Sequence, residues 1–334
     1  MSQVTVVVNT RERFELTIES LANIYETAGL DFDLVYVDVR SPRRTRDALR
    51  REATRRGFQL VRLDEYVPPN VARNVGVRYV GTPYVVFVDN DVFFEPSWLA
   101  RLVACAEETG AWVVGPLYMD QDGLSSTPRV HMAGGDMEFS GEWGARDFVQ
   151  TQRYFGKPLA DVPPERLVRQ ECDIIEFHCA LFRRSVFEKV GDLDEDLLTT
   201  REHLDYCLRV QDLGGAVYFE PSAVATYLTP PPLQLVDMPY FSLRWSDVWT
   251  RHTLVHFARK YGIAPSYEQR VAKTRRRRQQ ILLAGPRERL PRLLGDRLAS
   301  PLLAGLRHLE PVVNRLLVRL LTPKDVAEML REEP

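Results

Sequence analysis

The feature that most constrains the fold of this chain is a regular alternation of short apolar runs with segments of helical period. The apolar runs predict strands at residues 4–8, 34–37, 58–63, 83–89 and 111–115. The segments between them predict helices at residues 12–28, 43–56, 70–80 and 96–109. Strands whose side chains are almost all apolar are typical of parallel sheets covered on both faces. The sequence therefore predicts an α/β, doubly wound sheet with helices on both sides.

The fourth apolar run ends in two carboxylates that are two residues apart. It predicts a buried central strand, and Asp89, Asn90 and Asp91 follow directly. Ligands of open α/β sheets bind at the carboxyl ends of the strands. Paired carboxylates at that place suit Mg2+ or Mn2+ holding a diphosphate. A loop that simply begins with solvated acids is the alternative.

Neither of the common glycine-rich phosphate loops is present in the sequence. No G-x-G-x-x-G follows the first strand, and no G-x-x-x-x-G-K-[ST] occurs anywhere. A dinucleotide-binding fold and a P-loop are therefore not indicated. We expect a metal ion on Asp89 and Asp91 to hold the phosphates instead.

Composition indicates an intracellular globular protein. The 334 residues are 45% hydrophobic and 27% charged, which allows one large domain with an appendage. The four cysteines form no C-x-x-C pair, so neither a zinc knuckle nor a disulfide framework is indicated. No apolar stretch reaches the length of about 18 residues that a spanning helix needs, and no basic leader precedes the first strand. We expect a cytoplasmic location.

The last segment, residues 271–334, differs from the rest of the chain in charge. It holds 14 Lys and Arg against 7 Asp and Glu, whereas the whole chain has a net charge of −2. Leucines recur there at helical spacing, and Pro291, Pro301 and Pro311 predict a division into short helices. Basic amphipathic helices suit an anionic membrane surface, which predicts peripheral binding at the inner membrane face. Packing of the leucines on the body or on another subunit is the alternative.

Residues 116–172 lose the periodic pattern and predict a long irregular excursion that faces the substrate. Trp143, Phe148 and Tyr154 in this segment are candidates for stacking on sugar rings, with core filling as the alternative. After residue 172 the periodic pattern returns and predicts further strands and helices. Strands are expected at residues 174–182, 216–219 and 221–227, and helices at residues 200–213 and 240–261.

An ordered series of short motifs resembles the family 2 glycosyltransferases of the GT-A fold. The motifs are the Val-rich first strand, Asp38 after the second strand, and residues 72–76, 86–91, 182–184, 190–195 and 202–209. The resemblance covers roughly residues 3–260. It implies a GT-A nucleotide-diphospho-sugar transferase domain at residues 1–230 and a helical acceptor-side segment at 231–270. Residues 271–334 then form a C-terminal α-helical appendage.

The resemblance also implies an activity and a set of site residues. The reaction would be an inverting, hexosyltransferase-type transfer from a nucleoside-diphosphate sugar, with UDP favoured, in cell-surface polysaccharide synthesis. The acceptor would be a glycan or a lipid-linked saccharide. The residues implied at the nucleotide are Thr10, Arg11, Asp38, Arg73, Asp89 and Asn90. Asp89 and Asp91 would hold the metal ion.

Two of these assignments have a structural alternative. Asp38 could cap a helix or be a solvated loop acid. Arg73 could form a surface ion pair, which contributes little to stability.

The expected catalytic base is the clearest departure from the family pattern. Glu202-His203 stands where the family has Glu-Asp. Glu202 and Asp205 share one helical face, which makes both of them candidates. His203, in register with the family's aspartate, is the competing candidate, because imidazole suits a general base near neutral pH. We favour Glu202; the third possibility is that these residues only begin a helix.

A second departure affects the metal site. The family often has a histidine after the last edge strand, and Tyr227 stands in that register here. His131 and His178 are substitutes for this ligand, unless they are core histidines.

The two departures leave a second class of function open, a catalytically inert GT-A-like carbohydrate-binding or scaffold protein. Nucleic-acid binding through the arginine run 275–278 is not expected, because no aromatics are interleaved and the rest of the chain is acidic.

Overall fold

The computed structural model describes residues 2–122, 127–229, 233–265 and 267–332. Within these residues the strands are β1 (Val4–Asn9), β2 (Asp33–Val39), β3 (Gln59–Leu63), β4 (Tyr84–Asp89), β5 (Val92–Phe94), β6 (Val113–Asp122), β7 (Arg129–Met132), β8 (Gly135–Ser140), β9 (Asp147–Gln152), β10 (Gln170–Glu171), β11 (Cys179–Arg183) and β12 (Val217–Thr229). The helices there are α1 (Thr17–Thr27), α2 (Arg43–Arg56), α3 (Pro69–Val77), α4 (Trp98–Thr109), α5 (Ser185–Val190), α6 (Glu202–Asp212), α7 (Met238–Arg244), α8 (Asp247–Tyr261), α9 (Tyr267–Leu282), α10 (Ala284–Leu294), α11 (Asp296–Leu321) and α12 (Lys324–Glu332).

Strands and helices build a mixed sheet with a long helical region after it. Along the sheet the order is β10-β12-β6-β11-β4-β1-β2-β3, with β5 on β12 and β7 on β6. Four strands at one end of this order are parallel to one another: β3, β2, β1 and β4. β11 is antiparallel to both of its neighbours. The predicted α/β class is confirmed, but the sheet is mixed.

The central strands β1 and β4 lie in the core because they are covered on both faces, and β11 of the other half contributes to the same core. Every residue of β1 and β4 is buried. α3 lies unusually close to β1 at Gly76, where a Cβ atom would come within 2.3 Å of Val7 Cγ1. This close approach requires a residue without a side chain. The packing places the carboxyl ends of β1, β2 and β4 at one edge of the sheet.

Residues 116–172 contain more regular structure than expected. β6 continues to Asp122, β7 pairs with it, and β8 and β9 form a separate antiparallel hairpin. The strands expected at 216–219 and 221–227 are one strand, β12, with an irregularity between Glu220 and Val224. A bulge lets one strand keep its pairing despite extra residues. The strand expected from residue 174 begins only at Cys179.

Two predicted helices differ most from their expected bounds. The first one starts at Thr17, because Arg13 adopts a left-handed conformation with φ 70° and Asp237 accepts from the backbone amides of Arg13 and Phe14. The helix expected at 240–261 is two helices, α7 and α8. Ser246 caps the second by accepting from the backbone amide of Trp249 at 3.1 Å.

The prolines of the last segment do not divide it as expected. Pro291 lies within α10, and Pro301 and Pro311 lie within α11. A proline inside a helix leaves the carbonyl four residues earlier without its donor. For Pro311 that carbonyl belongs to Arg307, and it accepts from Gln279 Nε2 of α9 at 3.0 Å. A side chain from another helix thus replaces the missing bond.

Among the helices that the structure describes, none is both long enough and apolar enough to cross a membrane.

Candidate active site

The carboxyl ends of the parallel strands gather a group of buried charges. We call Arg11, Glu12, Asp38, Arg73, Asp89 and Asp91 the strand-end cluster; all of them are buried. Thr10 lies at the same edge, where its hydroxyl donates to the carbonyl of Val37 at 3.3 Å. The structure therefore brings together the residues that the sequence placed at a nucleotide.

Asp38 is held in position by two kinds of donor. Its Oδ1 accepts from the backbone amide of Ser41 at 3.0 Å, and its Oδ2 accepts from Arg62 Nη1 at 2.6 Å. The side chain is only 1% exposed, so it is not a solvated loop acid. Arg62 was not identified from the sequence, because its position depends on the register of β2 against β3, in which Asp38 lies opposite it.

Asp89 is surrounded by cations and donors. Its carboxylate lies 3.0 Å from Arg11 Nη2, 3.4 Å from Arg73 Nη2 and 2.8 Å from His178 Nδ1. Burial alone would raise its pKa, but the charge of Arg11 and the contacts with His178 and Arg73 hold the pKa well below its usual range. Arg73 is 0% exposed, so the alternative of a surface ion pair is wrong. Burial lowers the pKa of Arg73.

Asp91 and Asn90 face inward from the loop after β4. Asp91 Oδ2 lies 3.4 Å from Arg13 Nη1, and its Oδ1 has no hydrogen-bond partner among the described residues. Burial raises the pKa of this carboxyl. Asn90 Oδ1 accepts from the backbone amide of Arg11 at 2.8 Å, so this side chain fixes the loop that follows β1.

The charge around these acids bears on the expected metal site. Three guanidinium groups, those of Arg11, Arg13 and Arg73, lie against Asp89 and Asp91. The cationic groups outnumber the carboxylates and occupy the oxygens of Asp89 that a metal ion would need. Asp89 therefore has no oxygen free for a divalent cation, and Asp91 keeps only Oδ1 without a hydrogen-bond partner among the described residues, so the two aspartates do not form a chelating pair.

A cavity of about 580 Å³ opens next to the strand-end cluster. Arg11 lines it, and so does a second group that we call the cavity cluster: His131, Glu176, His178, Glu202 and His203. The strand-end cluster thus contributes the cation of Arg11 to the cavity, while Asp89 and Asp91 lie behind the surface of the cavity.

Glu202 and His203 both reach this cavity from the first turn of α6. Glu202 Oε1 lies 3.7 Å from Arg73 Nη1, and its buried Oε2 has no hydrogen-bond partner in the part of the chain that is described. His203 Nε2 lies 3.8 Å from Glu176 Oε1. An acid at a helix N-terminus is also favoured by the helix dipole.

Asp205 does not join them. It is 1% exposed, and its Oδ1 accepts from the hydroxyl of Tyr261 at 2.7 Å and lies 2.6 Å from Lys260 Nζ. These contacts tie α6 to α8. The structure gives Asp205 a place in a buried ion pair away from the cavity.

The three further members of the cavity cluster come from two segments: His131 lies on β7, and Glu176 and His178 lie just before β11. His131 Nδ1 lies 3.1 Å from Asp120 Oδ2, and Glu176 Oε1 accepts from Gln152 Nε2 at 2.9 Å. Burial alone would raise the pKa of Glu176, but His203, His178 and His131 lower it to about 2. Burial opposes protonation of His131, yet the bond with Asp120 and the charge of Glu176 raise its pKa.

Glu176 was missed by sequence reasoning. The signal that could have found it is its spacing of two residues from His178, because alternate residues of an extended segment point the same way.

Tyr227 packs against the cavity cluster. Its ring stacks on that of His178, with centroids 4.6 Å apart and an angle of 22° between the planes. Burial raises the pKa of its hydroxyl to about 12, so it stays neutral near neutral pH.

The aromatics expected to stack on sugars lie elsewhere. Trp143, Phe148 and Tyr154 do not line the cavity, whereas Phe155 does. Phe148 packs on Phe257 at 5.6 Å, which agrees with the core-filling alternative.

Comparison with known proteins identifies the fold and the family. The model of the family "Glycosyl transferase family 2" matches residues 2–191. An uncharacterized protein, y4gI, of Sinorhizobium fredii (strain NBRC 101917 / NGR234) is 26% identical over 221 residues, which are 63% of this chain and 23% of that protein. The chain thus spans less than a quarter of that relative's length.

Two solved structures share the fold. GalNAc-T7 with UDP, GalNAc and Mn2+ has a TM-score of 0.54 and 15% identity, over 83% of this chain and 54% of that chain. The mannosyltransferase PcManGT from Pyrobaculum calidifontis, in complex with GDP-Man and Mn2+, has a TM-score of 0.52 and 18% identity, over 95% of this chain and 85% of that chain. Their likeness agrees with the mixed sheet and its strand-end edge. Because the family model covers more than half of the sequence, the chain belongs to glycosyl transferase family 2.

Proposed function

We propose that this chain transfers a sugar, with inversion, from a nucleoside diphosphate to a glycan or a lipid-linked saccharide, in the synthesis of a cell-surface polysaccharide. The observation that carries the proposal is the position of Glu202. Its Oε2 is buried and lacks a hydrogen-bond partner within the described residues, and it belongs to the cavity that Arg11 also lines. A carboxylate with one oxygen free of hydrogen bonds, next to a fixed cation, suits a general base that works beside an anionic leaving group.

The nucleotide would bind at the strand-end edge. Asp38, a buried carboxylate, would accept from the base, and uracil offers the N–H donor that this requires. Thr10 and Asn90 would shape the loop around the nucleoside. Arg11 and Arg73 would face the diphosphate, because buried guanidinium groups stabilise the negative charge that develops as the sugar departs.

In the reaction, Glu202 would accept the proton of an acceptor hydroxyl. The acceptor oxygen would then form a bond with the anomeric carbon from the face opposite the leaving group. The bond between that carbon and the phosphate oxygen would break, and the nucleoside diphosphate would leave with the electron pair. His203 would contact the substrate from the next position of α6.

The test is a panel of UDP-sugars and GDP-sugars, with release of the nucleoside diphosphate as the readout and calorimetry for binding. We expect one nucleotide class to bind and to be turned over. Glu202→Gln should bind the same nucleotide without turnover. Binding without turnover by the wild type, with every donor and saccharide acceptor offered, would favour the inert carbohydrate-binding or scaffold alternative. Absence of any nucleotide binding would overturn the proposal.

A second part of the proposal concerns the helical segment 271–334. One face of α11 repeats exposed apolar side chains at the spacing of a helix: Leu298, Leu302, Leu309, Val313, Leu316 and Leu320. At about 100° per residue, Arg319 lies beside this face, and Arg297 and Arg315 lie further round the helix on the same side. Such a face suits peripheral binding to an anionic bilayer, where each basic residue contributes about 1 kcal/mol. A location at the inner membrane face would bring the enzyme to a lipid-linked acceptor.

Sedimentation with vesicles tests this part. We expect binding to vesicles that contain phosphatidylserine, weaker binding to neutral vesicles, and loss of binding as salt rises. The variant Leu309→Ser/Leu316→Ser should bind weakly. Leu213→Ser, at an exposed leucine outside α11, is the matched control and should bind as the wild type does. Equal sedimentation of all three proteins would exclude α11 as the membrane-binding face.

A further inference from the structure

The cavity cluster contains a group of side chains with the composition of a metal site. His131, Glu176 and His178 each offer one ligand atom, and these atoms all lie within 4.8 Å of one another. Two imidazoles and one carboxylate form a common set for divalent transition metals, and they leave further coordination positions for water or substrate. We propose that these three residues bind a divalent transition-metal ion, in place of Asp89 and Asp91.

The second observation is the way in which the two histidines are held. Nδ1 of His131 lies 3.1 Å from Asp120 Oδ2, and Nδ1 of His178 lies 2.8 Å from Asp89 Oδ2. Each carboxylate fixes one nitrogen as the donor and leaves Nε2 of the same ring as a lone-pair donor to a metal ion. Metal-binding histidines almost always have a partner of this kind. Here two separate carboxylates provide it.

This arrangement also gives a role to Asp89 and to Tyr227. Asp89 would act on the metal ion through His178 and not as a ligand, which agrees with the guanidinium groups on its oxygens. Tyr227 stacks on the His178 ring and would keep it in its orientation.

A second group of potential ligands, Asp194, Asp196 and His256, is less suitable. Lys260 Nζ lies 2.5 Å from Asp194 Oδ2, so a cation already occupies the carboxylate oxygen that a metal ion would use. No lysine or arginine is in ion-pair contact with Glu176 within the described ranges; its ion-pair contacts are His131 and His203. This difference makes the second group a matched control.

The role of the metal ion rests on the proposed function. A cation at Glu176 would lie in the cavity that Arg11 and Glu202 also line, where it could neutralise the departing diphosphate. Binding of the ion does not rest on that function. It can be measured in the absence of any nucleotide.

The test is titration of the metal-free chain with Co2+, followed by its visible absorption and by calorimetry, and then competition with Zn2+, Mn2+ and Mg2+. We expect one Co2+ per chain and much weaker binding of Mg2+, because imidazole ligands favour transition metals. His131→Gln, Glu176→Gln and His178→Gln should each weaken binding by at least about 100-fold. Asp120→Asn removes only the partner of a ligand and should weaken it by about 10- to 100-fold.

Two control variants separate this site from its alternatives. Asp91→Asn and His256→Gln should bind Co2+ as the wild type does, with thermal melting to show that every variant is folded. If the folded wild type binds no Co2+, Zn2+ or Mn2+, the proposal is wrong. It is also wrong if Asp91→Asn abolishes binding while Glu176→Gln keeps it. Sugar transfer that persists in EDTA, with no metal bound, would refute the role of the ion in the reaction and leave the transferase proposal intact.

Discussion

The strand-end cluster and the cavity cluster lie side by side, but their carboxylates have different partners. Four carboxylates of the strand-end cluster each pair with at least one guanidinium group: Glu12 with Arg244, Asp38 with Arg62, Asp89 with Arg11 and Arg73, and Asp91 with Arg13. In the cavity cluster, Glu176 has imidazole and amide partners. Glu202 Oε1 lies 3.7 Å from Arg73 Nη1, and its Oε2 has no hydrogen-bond partner among the described residues, as is also true of Asp91 Oδ1 in the strand-end cluster.

The difference separates carboxylates held by guanidinium groups behind the cavity surface from Glu176 and Glu202, which line the cavity and remain available for chemistry. A buried charge with a partner holds its elements in place, and removal of one partner leaves the other uncompensated. A buried polar atom without a partner is uncommon and calls for a reason, such as a ligand or a reaction. We therefore expect substitutions in the cavity cluster to affect rate, and substitutions in the strand-end cluster to affect stability or nucleotide affinity.

The largest effect is expected for Glu202→Gln. Loss of the general base should lower kcat by about 10²- to 10⁴-fold with little change in melting temperature. His203→Gln, which removes the neighbouring group only, should lower kcat by less than about 10-fold. Initial rates of nucleoside-diphosphate release measure both. A larger loss in His203→Gln than in Glu202→Gln would reverse the assignment of the base.

The next largest effect is expected for Glu12→Gln in the strand-end cluster. Glu12 Oε2 accepts from Arg244 Nε at 2.8 Å, and both side chains are buried. The substitution leaves Arg244 buried without its partner and should lower the free energy of unfolding by about 3 kcal/mol. Chemical denaturation measures this value. Glu268→Gln, in an exposed pair with Arg251, is the control and should leave the free energy of unfolding nearly unchanged.

The same pair predicts a pH dependence with a definite sign. Burial alone would raise the pKa of Glu12, but the charge of Arg244 and its hydrogen bond lower this pKa from 4.5 to about 2 in the folded chain. A carboxyl whose pKa is lowered by folding stabilises the fold above its unfolded pKa and loses this effect as pH falls through its folded pKa. The difference in stability between wild type and Glu12→Gln should therefore shrink from pH 4.5 towards pH 2. A constant difference over that range would contradict the assignment.

A smaller effect is expected for Asp38→Asn. Loss of a charged acceptor for the base should weaken UDP binding by about 10- to 100-fold, since hydrogen bonds to charged groups contribute about 1.5–3 kcal/mol. Asp64→Asn removes the other, exposed partner of Arg62 and should leave UDP binding unchanged. Calorimetry measures both. If Asp38→Asn lowers only the melting temperature, this aspartate belongs to the structural part of the strand-end cluster.

The sequence predicted the parallel half of the fold and the residues at its edge. The apolar runs that end at Asp38 and Asp89 indicated buried strands, and the structure places both acids at the strand ends. The sequence predicted less of the structure where it depends on contacts between residues that are far apart in the chain. The prolines of α11 favoured a break, but Gln279 of α9 provides a donor to Arg307 that no local pattern indicates.

Alternation of apolar and polar residues, and the order of the family motifs, are properties of the sequence by itself. They determined the α/β class, the strands that carry the site, and the membership in glycosyl transferase family 2. The partner of each buried charge was decided only by the tertiary structure. Arg62 meets Asp38 through strand register, and Glu176 meets His131 in the folded cavity. The reason is physical: the electrostatic energy of a charge depends on its distances in space, and those distances are fixed only when distant segments pack together.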